Sequence, residues 1–148
     1  MSKTDPNQAK FGMTDTQIDA AMTRLVINCQ SEANKAVNRA AQLYAGRLRQ
    51  NAPRQEKEKY EAKYVDKRHS ADYIKVTNAR QNDGRPEAKV GFLVTRGLGW
   101  YMHFPDGGTV VRGTLHQPAQ NFIERTQNET VRPIKALFRN AIKRGFDK

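Results

Sequence analysis

Cysteine is nearly missing from this chain: Cys29 stands alone among 148 residues. That excludes an intrachain disulfide and fits a protein made in a reducing cytoplasm. Long apolar runs are also missing. Nothing approaches the ~18–20 residues that span a bilayer, so no membrane partner is expected. The opening MSKTDPNQAKFG lacks the apolar segment of a signal peptide. Histidine is scarce, and His69, His103 and His116 fall in separate loop or strand contexts. With one cysteine, no H-x-x-x-H pair and no carboxylate–histidine spacing, a zinc site is not expected. Ser31 and Ser70 have no base at motif spacing, and Cys29 falls on an apolar helical stripe, where a buried structural thiol is expected. These shortages predict no enzymatic activity, no cofactor, no metal and no small-molecule substrate.

Acidic residues are few beside basic ones, 15 against 26, and the net charge is +11. Such a surplus suggests an acidic partner, most obviously nucleic acid. The surplus is shared almost evenly by residues 1–50, 51–120 and 121–148, whereas sequence-reading proteins concentrate it on one face or arm. Non-specific attraction to packaged DNA needs only positive potential and fits this spread. The hydrophobic share of 37% is low for a self-sufficient globule, which leaves burial to neighbouring subunits.

Residues 1–13 read as a polar arm, held either by a neighbouring subunit or by the rest of its own chain. Residues 14–148 read as a single α+β domain. Thr14 and Gln17 form a capping-box start. Ile18, Met22, Leu25, Cys29, Ala33, Ala36, Ala40, Leu43 and Leu48 then mark one face of a helix from about residue 15 to 50. It stops at Asn51-Ala52-Pro53, because a residue before proline avoids helical dihedrals. Such a helix is roughly 50 Å long. Either part of it projects toward partners or it bends near Gly46. Residues 54–68 read as a charged protruding loop or hairpin arm, in which Tyr60 and Tyr64 are candidate partner anchors.

From Ala71 the apolar period becomes two. Residues 73–77 predict a strand, Asn82-Asp83-Gly84 the turn of its hairpin, and residues 88–94 the returning strand. Residues 100–104 read as extended or short helical structure, and residues 109–111 as another strand. Asp106-Gly107-Gly108-Thr109 has the look of a phosphate loop, but no G-K-[ST] follows, and a tight turn needing positive φ explains its glycines. After Gln117-Pro118 a second amphipathic helix is expected: Phe122, Ile123 and Thr126 begin one turn pattern, and Val131, Ile134, Leu137, Phe138, Ala141 and Ile142 continue another. Its start is set near Asn128 or Thr130 so that Pro133 falls in the first turn. The fold class is therefore α+β: a long N-terminal helix and a C-terminal helix packed on a small, mostly antiparallel sheet.

The segment Tyr101-Met102-His103-Phe104-Pro105-Asp106-Gly107-Gly108-Thr109 resembles the signature "Y-x-x-F-V-E-F-G-T" of a tail-component family of long-tailed bacteriophages. Gln117 through Ile123 is similar to that family's "Q-P-A-x-P-F-[ML]" segment. Leu48–Pro53 resembles its "L-K-x-x-A-P" helix exit, His69–Val76 its "H-L-x-x-S-I-x-V" strand and Val90-Gly91-Phe92 its "V-G" strand. The segments run in the family's order across roughly residues 20–145. In this chain Asp106 stands for a glutamate, Gly107 for an aromatic, Asn121 for a proline, and Glu124-Arg125-Thr126 for R-P-A.

The resemblance implies a neck or tail-completion protein of the virion. Such proteins form rings, commonly hexameric, between the head connector and the tail tube. The implied partners are other copies of the chain, the neighbouring connector and terminator or tube proteins, and DNA in the channel. A tail terminator, a head-side connector and a small nucleic-acid-binding module are the alternatives. Tyr101, Phe104, Pro118 and Phe122 are expected in the core. Asp106, Gly108 and Thr109 are candidate subunit contacts, with Asp106 either capping its own turn, pairing with a basic residue across the subunit boundary, or facing solvent.

Overall fold

The computed structural model describes residues 14–54, 70–93 and 102–147. The arm at 1–13, nearly all of the charged loop at 54–68 with Tyr60 and Tyr64, and Tyr101 lie outside the described residues.

Helix α1 runs unbroken over Asp15–Asn51. It starts on the expected capping box: the Gln17 amide donates to Thr14 Oγ1 at 3.4 Å, and the Thr14 amide donates to Gln17 Oε1 at 3.0 Å. It ends where Ala52 turns extended (φ −63°, ψ 135°) ahead of Pro53, while its N–H still reaches the Leu48 carbonyl at 2.8 Å. The helix continues through Gly46 without interruption. At ~1.5 Å per residue α1 is about 55 Å long, and the projecting alternative is the one realised.

The C-terminal helix departs from expectation. It is continuous over Phe122–Phe146, with Pro133 in its interior. The Glu129 carbonyl thereby loses its usual amide donor, a defect of order 3 kcal/mol in an isolated helix. The helix tolerates it because its inner face is fastened to α1 on both sides of the proline. We number this helix α3, because a short α2, His103–Gly107, precedes it. Asn51 Nδ2 donates to Thr126 Oγ1 at 3.1 Å and to Glu129 Oε2 at 2.9 Å. Arg47 Nε meets Glu129 at 2.9 Å, and Arg144 Nε meets Glu32 at 3.3 Å. These pairs run in opposite directions along the two helices, so α1 and α3 are antiparallel.

Small residues make that seam. α1 buries Glu32, Ala36, Ala40, Ala41, Ala45 and Leu48, and α3 buries Phe122, Thr126, Thr130, Ala141 and Gly145. A Cβ on Gly145 would lie 3.0 Å from Cys29 Sγ and 3.1 Å from its Cα, so the helices nearly touch there. The two threonine hydroxyls satisfy themselves by donating to carbonyls one turn back, each at 2.7 Å. Val131, Phe138 and Ile142, read from sequence as part of the inner stripe, are exposed. The close approach selects alanine, threonine and glycine for the seam and displaces bulky side chains to its flanks.

Three two-stranded antiparallel ribbons complete the α+β architecture. A 3-10 turn at Ser70–Tyr73 leads into β1 (Ile74–Val76), which pairs with β4 (Val90–Phe92). Between them β2 (Arg80–Asn82) and β3 (Arg85–Glu87) form the hairpin tip. Its turn places both Asp83 and Gly84 at positive φ, the geometry that matches strand twist. Side chains of α1 hold this hairpin: Asn38 Oδ1 accepts from the Ala79 amide at 2.6 Å, and Asn34 Oδ1 from Gln81 Nε2 at 3.2 Å. The third ribbon pairs β5 (Thr109–Val111) with β6 (Thr114–Gln117).

The core gathers Ala45 and Leu48 from α1 and Ala52 just past its end with Ala71, Ile74, Met102 and Phe122. Phe122 is fully buried, and Phe92 meets it edge-to-face with centroids 6.1 Å apart at 81°.

Candidate assembly surface

Residues 102–123 are folded around one junction. Helix α2 ends against the start of α3. Pro105 and Asp106 carbonyls accept the Gln120 and Asn121 amides at 2.9 and 3.1 Å, and Asp106 Oδ1 accepts the Ile123 amide at 3.0 Å. Asn121 is the formal N-cap of α3, but it sits in the left-handed region (φ 48°, ψ 38°) and its side chain caps nothing. Asp106 therefore caps a helix that starts sixteen residues further along the chain. Its charge is placed where the helix dipole favours an anion.

This assigns Asp106 to neither its own turn nor solvent: it is half-buried and committed to α3. Gly107 closes α2, and only Gly108 of the glycine pair has positive φ, so the expected tight turn is a helix end instead. Gly108 packs against its own chain, since a Cβ there would lie 2.8 Å from the Ala119 amide nitrogen and 2.9 Å from the Gln117 carbonyl oxygen. Thr109 is half-buried with its hydroxyl oxygen unpartnered. Pro118, expected in the core, is exposed. The backbone of its neighbours, not its ring, faces Gly108. Phe122 is in the core as expected. Phe104 is in α2, and its side chain lies outside the described set.

Removing the remote cap is expected to cost about 1 kcal/mol in an Asp106→Ala variant, with part recovered in Asp106→Asn, which keeps an acceptor. Urea unfolding of the three proteins measures it, and equal midpoints would show that the bond contributes nothing.

Tyr44 lies beside this junction at the edge of the core. Burial, and next the negative charge of Asp106, hold its phenol above the ordinary value of 10.0. The folded chain thus keeps that proton longer than the unfolded one. The resulting stability is fully present below the ordinary value and lost as pH rises through the raised one. The thermal midpoint is expected to fall as pH rises past 10, and to fall less in Tyr44→Phe. Parallel falls would refute the assignment to Tyr44.

What the junction leaves outside is apolar. The ribbon β5–β6 exposes Val110, Val111 and Leu115. Upstream of Cys29, α1 has passed the end of α3 and becomes an overhang: Ile18 and Met22 of the sequence stripe are exposed, Leu25 is half-buried, and Val26 and Ile27, outside the stripe, are exposed as well. The stripe was legible as amphipathic; which part of it is covered depends on where α3 stops. Among the described residues no group of three or more His, Cys, Asp or Glu could hold a metal ion, and no described helix is long and apolar enough to cross a membrane. Comparisons with models of protein families, with curated proteins and with solved structures find no match.

Proposed function

We propose that the chain is a structural virion protein of the bacteriophage neck, forming a ring, commonly a hexamer in such proteins, that joins the head connector to the tail tube. The observation that carries this reading is the overhang of α1. Four turns of helix leave the fold with large apolar side chains in solvent, a surface that a free monomer gains nothing by keeping. The motif order from Leu48 to Ile123 supports the phage assignment, and the dispersed positive charge suits a ring around DNA without base readout. Cryo-EM of the particle whose genome encodes the chain tests it. A ring of density at the head–tail joint that accepts this fold is the expected result. Density at the terminator or head-side level would reassign the chain to those rings, and a monomer that never joins particles would end the structural reading.

The +11 charge favours a second reading, a small basic nucleic-acid-binding module. It predicts that the isolated protein binds duplex DNA with an affinity falling steeply as salt rises.

A further inference from the structure

We propose that the overhanging start of α1 docks into a groove between α1 and α3 of a second copy of the chain. The groove measures about 560 Å³. Cys29, Ala33 and Val37 of α1 form one wall and Phe138, Ile142 and Phe146 of α3 the other.

Three features choose this occupant. The first is spacing. Phe138, Ile142 and Phe146 form a ridge of four-residue steps, and Ile18, Met22 and Val26 form another of the same length, about 12 Å. Two such ridges interdigitate in the commonest mode of helix packing. The second is charge. The overhang begins with Asp15 and Asp19, whereas α3 carries no acid after Glu129 and presents exposed Lys135, Arg139 and Lys143 beside the groove. With the helices antiparallel, Ile18 comes opposite Phe146, Asp19 comes to Lys143, and the positive end of α1 meets the negative end of α3. The third is continuity. The overhang stripe prolongs the α1–α3 seam beyond Gly145, so both surfaces are loose ends of one apolar band. The chain cannot fill its own groove, because Ile18 lies about 16 Å beyond Cys29 along an unbroken helix.

Donor and acceptor are different surfaces, so the contact is head-to-tail and repeats around a closed ring or along a filament. It rests on the neck reading only for closure.

Met22→Glu disables the donor and Ile142→Glu the acceptor; both side chains are about 60% exposed, at 59% and 60%, and circular dichroism checks that folding is kept. Analytical ultracentrifugation should show wild-type chains assembling beyond two copies, and each variant alone associating about tenfold more weakly or worse. Mixed in equal amounts, the variants should form a two-chain species and nothing larger, because one intact helix meets one intact groove. Asp19→Lys should weaken assembly and Lys143→Asp in the same chain restore it. Should Ile142→Glu not fold, Lys143→Asp alone replaces it as the disabled acceptor. A wild type that stays monomeric, variants that assemble like wild type, or a loss seen with Met22→Glu alone would overturn the proposal. A neck ring seen by cryo-EM with other contacts would remove this docking and leave the neck assignment standing.

Discussion

Gly108→Ala is expected to be the most damaging single-methyl change in the described fold, lowering stability by about 3–5 kcal/mol and the thermal midpoint by roughly 10 °C or more. Two effects add. At φ 75° and ψ 168° Gly108 occupies a region that side-chain-bearing residues essentially avoid, at a cost of about 1–3 kcal/mol. The new methyl would also press on backbone, at 2.8 Å from the Ala119 nitrogen, which has no rotamer to yield. Gly113→Ala separates the effects. Gly113 has φ 79° but open space around its missing Cβ, so only the conformational part should appear, about 1 kcal/mol. Thermal unfolding of both variants measures the difference, and equal losses would show that the loop over Gly108 simply moves away.

Phe122→Ala should cost about 3–5 kcal/mol, the range for emptying a buried aromatic site. Phe122 is the first residue of α3 and fully buried, and it reaches Phe92 of β4 edge-to-face. The substitution thus loosens the α2–α3 junction and the β1–β4 ribbon together. A double-mutant cycle with Phe92→Leu isolates the ring pair, expected at about 0.5–1.5 kcal/mol of coupling. Strict additivity would mean that the two rings are independent contributors to burial.

Local rules located much of this fold in the sequence. The Thr14–Gln17 box and the Ala52-Pro53 stop set both ends of α1 correctly, because caps and proline act within a few residues. Asp83-Gly84 located the hairpin turn for the same reason. The continuity of α3 through Pro133 was not legible. It depends on Arg47, Asn51 and Glu32, which lie far away in sequence and hold the helix against α1 on both sides of the proline. The seam was misread in favour of Phe138 and Ile142 over Thr130 and Gly145. Periodicity counts apolar character, whereas the close crossing at Cys29 selects for small volume. Asp106 was recognised as an acceptor, but its target could not be, since Ile123 is brought to it by the intervening β5–β6 ribbon.

The overhang of α1 also has a thermodynamic consequence. Residues 15–28 make about four helical turns, and isolated helices that short are marginal in water. Away from α3 this segment must draw its order from the capping box and from continuity with the packed part of α1. Its amides should therefore exchange with deuterium far faster than those near Ala45, and slow down when subunits associate. Subunit joining would then include a folding step, and part of its free energy would be spent on ordering helix. An alanine placed at an outward-facing polar position such as Thr23 should tighten association without adding a contact, because it stabilises the helix before it meets its partner.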